Sequence, residues 1–202
     1  MTDGFGGADP CRARTFLPTC PRWKPGGWCR KLREEDEEDI FRYASDPEVS
    51  RYTTWYSPRS REEARTFLQN MLDRYERQEV APWGMVDKRT HRVIGTIGFN
   101  HWDVRNARAE VGFALARPYW NQGYMSEALR SVVAFGFRQM GLVRIEARCH
   151  PDNAASARVM EKAGMIFEGI LRRHVYIKGE HQDVKMYAIV RDDFEREYGV
   201  PE

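Results

Sequence analysis

Apolar residues recur at helical spacing in four stretches of the chain. The clearest is "SREEARTFLQNMLDRYERQ", where Ser60 and Glu63 form a capping-box pattern and six apolar residues share one face. "LREEDEEDIFRYAS" carries acids in its first turn, where the positive end of a helix dipole favours them. A third helix is predicted after "PYWNQGYM" and ends near Gly141, and "NAASARVMEKA" is a short fourth.

Strand-like stretches separate these helices. "VAPWGMVD", "RVIGTIGFN" and "AEVGFALA" follow one another with short polar turns between them, which predicts an antiparallel meander. "VRIEARC" is a further strand, and "MIFEGILRRHVYI" with "DVKMYAIV" predicts a terminal hairpin around Lys178-Gly179-Glu180. Strands that precede and follow two helices predict an α+β fold around one sheet.

The length of 202 residues suits one domain with a sizeable core. We predict an irregular arm over residues 1–30, where "GFGGADP" and "PRWKPGGW" are dense in proline and glycine, a domain over 31–193 and a C-terminal tail over 194–202. "PRWKPGGWCRK" in particular is a poor strand sequence.

Composition narrows the classes of function. Charged residues make up 31% of the chain, but the net charge is only +2, so no strong field attracts nucleic acid. No stretch is apolar enough to span a bilayer and no signal core is present, which predicts a cytoplasmic protein that does not enter membranes. The four cysteines show no paired C-x-x-C spacing, so we expect reduced thiols and no metal site.

"ARPYWNQGYMSEALR" places a strand, a short loop and a helix in direct succession. The N–H groups of Asn121 to Ser126 would be the unpaired donors of the helix N-terminus, which attract a pyrophosphate. Gly123 would let phosphate oxygens approach the main chain. A plain strand-to-helix connection is the alternative, and this stretch alone favours it.

A second stretch, "PDNAASARVMEKAGMIFEGILRR", changes that balance. It places Asp152 or Asn153 as an N-cap, with Ser156 one turn later. Together the two stretches resemble the GNAT superfamily of acetyl-CoA-dependent N-acetyltransferases, and most closely its ribosomal-protein-alanine N-acetyltransferase (RimJ/RimL) type. The resemblance runs from about Leu32 to Asp193. It implies a single twisted, mixed and mostly antiparallel sheet flanked by helices, with a splayed central strand pair.

The resemblance also implies the binding residues for acetyl-CoA, which is a co-substrate. The main chain of Phe113, Ala114 and Leu115 would contact the pantetheine arm. The pyrophosphate would be held by the loop and helix start: Asn121, Gln122, Gly123, Tyr124, Met125 and Ser126. Asn153 would bond to the arm, and Ser156 would lie near the thioester sulfur.

The resemblance also implies a first strand before "LREEDEED", where "PRWKPGGWCRK" is a poor strand sequence, so we expect that edge of the sheet to be short or disordered. Two single positions also depart from the family pattern. Trp120 stands where the superfamily usually has Gln or Arg. This change of side chain does not affect hydrogen bonds that backbone N–H groups donate. Many relatives place a tyrosine in the second helix as acid for the leaving thiolate, and here Met160 corresponds to it. Ser156 is then the remaining candidate to stabilise the thiolate by a hydrogen bond.

A catalytic base is less clearly indicated. Glu110 lies on the strand expected to border the acyl group, although a structural ion pair with Arg108 or Arg148 is an equal alternative. His174 lies where the acceptor pocket of the family closes, but "RRH" also suits a basic outer face. His101 and His150 are further candidates.

Two other groups of residues could line a binding pocket, but a structural role suits each at least as well. A solvated edge of the sheet is the alternative for the basic cluster of Arg172, Arg173 and Lys178. The hydrophobic core is the alternative for the aromatic set of Trp55, Tyr56, Trp83, Phe99 and Trp102.

We therefore expect an N-acetyltransferase that acts by direct attack of a primary amine in a ternary complex. The acceptor is a peptide α-amine or a small molecule such as an aminoglycoside, a polyamine or an amino acid. A non-catalytic acyl-CoA-binding module is the alternative, and an RNA- or ribosome-binding protein is a third hypothesis. The sequence leaves monomer and homodimer equally open.

Overall fold

The structure is a computed structural model that describes residues 22–23 and 27–199. Its helices are α1 (Glu37–Ala44), α2 (Pro47–Ser50), α3 (Arg61–Glu76), α4 (Tyr124–Gln139), α5 (Ala154–Lys162) and α6 (Arg191–Tyr198). Its strands are β1 (Arg22–Trp23), β2 (Gly27–Arg30), β3 (Trp83–Asp87), β4 (Val93–Asp103), β5 (Arg108–Leu115), β6 (Arg144–Cys149), β7 (Ile166–Ile177) and β8 (Glu180–Val190).

All eight strands of the described residues belong to one sheet, in the order β1-β2-β3-β4-β5-β6-β8-β7. Neighbouring strands are antiparallel except β5 and β6, which are parallel and are joined by α4. The predicted α+β class, the meander and the terminal hairpin are confirmed. The predicted caps are also present, since Ser60 Oγ accepts a hydrogen bond from the Glu63 N–H at 3.3 Å.

Helices cover the sheet on both faces. Met85 packs in one core with α4, α5 and α6, whereas the next residue, Val86, packs in the other with α1 and α3. This alternation is the period of a strand whose two faces are both buried. The sheet therefore holds α4 and α5, which carry the candidate binding residues, on one side.

The two termini differ from the prediction. The irregular arm predicted up to residue 30 is wrong for β1 and β2, because β2 pairs along its whole length with β3 and the ladder outweighs the weak strand propensity of its glycine. The boundary at Asp193 falls inside α6, whose buried Phe194 stacks at 5.0 Å on Phe137. Residues 1–21, 24–26 and 200–202, which include the rest of the arm and the end of the tail, lie outside the described residues.

The parallel pair β5 and β6 separates soon after it begins. Its register covers only Arg108 to Glu110 of β5 against Arg144 to Glu146 of β6. Beyond these pairs the strands diverge, and we call the opening between Val111–Leu115 and Ala147–Cys149 the strand gap. The splayed central strand pair is thus confirmed, and the main chain of β5 faces the gap without a strand partner on that side.

Gly98 lies in the middle of β4, and the main chain at Ala81 and Pro82 passes close to it. A Cβ at this position would lie 2.6 Å from Pro82 Cα, and a main-chain atom cannot rotate away. We expect Gly98→Ala to lower the free energy of unfolding by about 1–3 kcal/mol. Urea denaturation measures the change, and Asn100→Ala, at an exposed position of the same strand, is the control and should stay within about 0.5 kcal/mol of wild type. Equal stability of both variants would contradict the packing described here.

Candidate active site

The loop before α4 presents main-chain donors to solvent. Gly123 is the N-cap residue with φ of +86°, and Asn121 also has a positive φ of +58°, which asparagine tolerates better than most residues. The first backbone hydrogen bond of the helix runs from the Glu127 N–H to the Gly123 carbonyl. Within the described chain the amides of residues 121–126 donate to no backbone acceptor. This is the array of donors that the sequence predicts for an anion.

Two side chains immediately before the loop fix its position. The Trp120 indole Nε1 donates to the Leu115 carbonyl at 2.6 Å, which ties the loop to the end of β5. The Tyr119 hydroxyl donates to Asp87 Oδ2 at 3.3 Å. From the sequence, Trp120 is only a departure from the family pattern, because the spacing of residues does not indicate the hydrogen bond from its ring to the end of β5. The loop is held by side chains, so its amides remain available.

The N-terminus of α5 lies just after the end of β6, beside the strand gap. Asn153 is its N-cap, and its Oδ1 accepts a hydrogen bond from the Ser156 N–H at 3.0 Å. Only the Nδ2 group of Asn153 is then available to a ligand. Ser156 is partly exposed, and its hydroxyl has no hydrogen-bond partner among the described residues. Met160 is fully buried in the core, so it has no part in proton transfer.

Glu110 lies at the last residue pair before the strands separate. Arg148 Nε is 3.0 Å from Glu110 Oε1, so the ion pair that the sequence leaves as one alternative is present. The pair joins β5 to β6 at the closed end of the strand gap. His101 is the register partner of Glu110 on β4 and shares its face of the sheet. The Glu110 carboxylate therefore contacts the Arg148 guanidinium here, and His101 lies on the same face of the neighbouring strand.

The structure does not bring His174 to the strand gap. It is exposed in an irregular part of β7, and β8 lies between β7 and β6. Within the described residues His174 makes no hydrogen bond, ion pair or ring contact with a residue that lines the gap. Arg172 and Arg173 are exposed on the same strand, as the solvated-edge alternative predicts.

Lys178, the third member of the basic cluster, is placed differently. Its Nζ donates to the Ser50 carbonyl at 2.6 Å and lies 5.7 Å from the centre of the Tyr56 ring. Burial lowers the pKa of this ammonium group. The contact joins the hairpin turn to the end of α2, 128 residues away in sequence.

The segment between α2 and α3 reaches across to β6. The Ser50 and Ser57 hydroxyls lie 2.7 Å apart and close it into a loop. The Tyr52 ring stacks on His150, which follows β6, with centroids 5.1 Å apart. Of the five aromatic residues suggested for a pocket, Trp83 and Phe99 are buried in the core, whereas Trp55 and Tyr56 lie in this loop. The loop and the hairpin turn, joined by Lys178, thus lie beside His150 at the end of β6.

The two described cysteines, Cys29 and Cys149, are free thiols, as expected. Burial raises the pKa of Cys149 from 9.0 to about 11 and raises that of Cys29 as well. Because thiolate is the reactive form, we expect alkylation of Cys149 near pH 8.5 to be about 100-fold slower in the folded than in the unfolded protein. Folding raises these pKa values, so their contribution to stability is complete at neutral pH and falls as the pH rises above about 9. Timed alkylation with peptide mass spectrometry measures the rates, and equal rates in both states would contradict this burial.

Two further classes of site are absent from the part of the chain that the structure describes. No group of three or more His, Cys, Asp or Glu side chains there is arranged to hold a metal ion. None of the helices over residues 27–199 combines the length and the apolar character needed to cross a membrane.

Comparison with known proteins places this geometry in a wider context. Residues 28–166 match the family model described as "Acetyltransferase (GNAT) domain". The uncharacterized N-acetyltransferase YoaA of Bacillus subtilis is 36% identical over 162 residues, which cover 80% of this chain and 92% of YoaA. A GNAT-family acetyltransferase from Bacillus anthracis superimposes with a TM-score of 0.75 at 28% identity, covering 86% of this chain and 99% of the other. RimL, a ribosomal L7/L12 alpha-N-protein acetyltransferase solved in complex with coenzyme A, superimposes with a TM-score of 0.76 at 22% identity, covering 86% and 99%.

Proposed function

Because the chain belongs to the GNAT family and is an acetyl-CoA-dependent N-acetyltransferase, we propose that it acetylates the α-amine of a peptide or protein N-terminus. The observation that carries the proposal is the position of the strand gap between two helix N-termini. One of them, at the Gly123 loop, presents main-chain donors, and the other presents the Ser156 hydroxyl. An extended thioester substrate and an amine fit on opposite sides of such an opening.

Acetyl-CoA is expected to bind through main-chain groups. The amides of residues 121–126 hold the pyrophosphate at the positive end of α4. The pantetheine arm lies in the strand gap and bonds to the unpaired main chain of Phe113, Ala114 and Leu115. The Nδ2 group of Asn153 is a further donor to the arm. This arrangement brings the thioester toward Glu110 and Ser156.

The transfer is a direct attack. The neutral amine attacks the thioester carbonyl carbon, the C–S bond breaks, and coenzyme A leaves as a thiolate. Glu110 accepts, through water, the proton that the attacking nitrogen loses. The Ser156 hydroxyl donates a hydrogen bond to the thiolate, and water supplies the proton that completes the free thiol. Glu110 is preferred to His174 because it lies at the strand gap whereas His174 does not.

The protonation of the acceptor favours an α-amine. At neutral pH an α-amino group with a pKa near 8 is roughly one-tenth neutral, whereas fewer than about one lysine side chain in a thousand is neutral. The difference is on the order of 3 kcal/mol. An acceptor that is already partly neutral needs less help from a base, and the one carboxylate at the strand gap is shared with Arg148. The RimL comparison, with a protein α-amine as its acceptor, agrees with this preference.

Initial-rate kinetics with detection of free coenzyme A thiol test the proposal. Peptides with free N-termini, polyamines and amino sugars serve as acceptors, and the concentrations of both substrates are varied. We expect turnover with a subset of the peptides and intersecting double-reciprocal lines, since both substrates occupy the site together. Coenzyme A binding without turnover on any acceptor would support the non-catalytic module instead, and turnover only on polyamines or amino sugars would support a small-molecule enzyme.

A further inference from the structure

His150 lies at the open end of the strand gap and has no part in the transfer described above. It is the first residue after β6, and Cys149 before it lines the gap. Its side chain is 27% exposed. Because side chains alternate along a strand, His150 continues the face of β6 that carries Arg148, the partner of Glu110. His150 and the proposed base therefore share one face of the sheet.

That face is opposite to the one that carries the coenzyme A helices. Cys149, which points to the other side, packs in the core with α4 and α5. The loop between α2 and α3 lies on the His150 face, since its Trp55 packs against the core of α1 and α3 and its Tyr52 stacks on His150. An amine that approaches from this face reaches the thioester from the side away from α4 and α5.

The hydrogen bonds of the His150 ring determine what its remaining nitrogen can do. The Asp152 N–H donates to His150 Nδ1 at 3.1 Å, and the Asp152 carboxylate is farther from Nδ1, at 3.8 Å. Because Nδ1 accepts, the neutral ring carries its proton on Nε2. Nε2 has no hydrogen-bond partner among the described residues. The stack on Tyr52, with centroids 5.1 Å apart and ring planes at 23°, fixes the ring. His150 thus presents one oriented N–H donor.

Given the peptide acceptor proposed above, on which this inference rests, we propose that the Nε2–H of His150 donates to a main-chain carbonyl of that peptide, at its third or fourth residue. Every peptide has such carbonyls, so the contact does not depend on a particular side chain. It favours extended peptides over single amino acids and small amines. The acceptor class is therefore a chain of at least three residues.

The spacing along β6 determines which residue of the peptide reaches His150. Glu110 is level with Glu146 in the parallel register, and His150 follows Glu146 by four residues, which span about 13 Å in a strand. The two strands are joined at Glu110 and open toward His150, so the gap leads a bound chain in that direction. An extended peptide also advances by about 3.3 Å per residue, so its third or fourth carbonyl arrives at His150. A dipeptide is too short.

Coenzyme A is a poor partner for this donor. The groups proposed to bind it, Asn153 and the amides of residues 121–126, belong to α5 and to the Gly123 loop, on the other face of the sheet. The main chain of His150 is also in use, because its carbonyl accepts from the Asn153 N–H at 2.9 Å. The side chain is the part of His150 that is available to the acceptor.

Steady-state kinetics with acceptor peptides of increasing length, from a dipeptide to a hexapeptide that begins with the same two residues, test this contact. For the wild type we expect kcat/KM to rise by about 3- to 10-fold when the third or fourth residue is added, the effect of one hydrogen bond. His150→Phe keeps a ring that stacks on Tyr52 but has no donor, so it should lose this rise through a higher KM. Its kcat on the hexapeptide and its affinity for coenzyme A, measured by calorimetry, should match wild type.

Two further variants separate the donor from a structural role of the ring. His150→Asn keeps an acceptor near the position of Nδ1 for the Asp152 N–H but has no group at the position of Nε2, so it should behave like His150→Phe. If the ring only held the turn, the asparagine variant would instead match wild type. The matched control is His174→Phe, which changes an exposed histidine that does not border the strand gap and should match wild type at every peptide length.

The possible results distinguish this contact from the proposed function. Turnover of peptides with a rise in kcat/KM that His150→Phe leaves intact would overturn the contact, and the peptide acceptor would still stand. Equal kcat/KM for the dipeptide and the hexapeptide in the wild type would do the same. Turnover of none of the peptides would overturn the proposed function and the His150 contact together.

Discussion

Gly123→Asp is expected to lower the affinity for coenzyme A by about 100-fold or more. The amides of residues 121–126 and the dipole of α4 attract an anion, and the new carboxylate would lie among them. Two like unit charges about 5 Å apart near a protein surface repel by about 3 kcal/mol, which corresponds to the expected loss. Isothermal titration calorimetry measures the change directly.

Two other substitutions at Gly123 separate the effect of charge from that of backbone strain. Gly123→Asn has nearly the same shape as the aspartate and tolerates a positive φ, but it carries no charge, so we expect a loss of less than about 10-fold. Gly123→Ala adds a Cβ that would meet nothing within 4 Å, so its only cost is the left-handed conformation, about 1–2 kcal/mol of folding stability. If the aspartate and asparagine variants bound coenzyme A equally, the loop would not hold the pyrophosphate.

Glu110→Gln is expected to lower kcat by about 100- to 10,000-fold, the range that loss of a general base usually gives. The glutamine keeps the size of the side chain but accepts no proton from the amine. Coenzyme A affinity should be unchanged, because the binding donors lie in the Gly123 loop and along the strand gap. Steady-state kinetics and calorimetry together distinguish a chemical from a binding defect.

The matched control is Glu146→Gln. Glu146 is the register partner of Glu110 on β6 and also forms ion pairs, but its partners Arg108 and Arg144 lie in the paired part of the strands, whereas Arg148, the partner of Glu110, lies beyond it. We expect its kcat to stay within a few-fold of wild type. If Glu110→Gln behaved in the same way, Glu110 would have only the structural role of pairing with Arg148, and His101 would be the next residue to examine.

The parts of the fold that depend on local sequence could be predicted. The capping pattern at Ser60 and the turn at Lys178-Gly179 involve neighbours in the chain, and both are present. β2 could not be predicted, because its stability comes from pairing with β3, more than 50 residues later, and not from its own composition. Strand propensity says little about such non-local pairing.

The same distinction applies to the site. The Gly123 loop and the Asn153 cap follow from short motifs and are where the sequence places them. The sequence predicts His174 near the acceptor pocket, but strand order in a sheet differs from order in the chain. β8 lies between β6 and β7, so the strand that carries His174 does not border the strand gap. The ion pair of Glu110 with Arg148 likewise depends on where β5 and β6 diverge, which no local pattern records.

Contacts between segments that are distant in sequence also shape the site, and no sequence motif indicates them. Trp120 ties the loop to the end of β5, and Lys178 joins the hairpin turn to Ser50. In both contacts a single side chain donates to a main-chain carbonyl. Every residue has such a carbonyl, so the type of the accepting residue does not indicate the contact. The acceptor side of the site depends on such contacts, and for this reason acceptor specificity is harder to predict than coenzyme A binding.

The position of the added acetyl group distinguishes an α-amine acceptor from a lysine acceptor. The enzyme is given acetyl-CoA and an equimolar mixture of two peptides, one with a free N-terminus and no lysine, the other with a blocked N-terminus and a single lysine. Tandem mass spectrometry then locates the added acetyl group. We expect acetylation of the free α-amine and none of the lysine. Acetylation of the lysine peptide alone, or release of coenzyme A only in the presence of small amines, would contradict it.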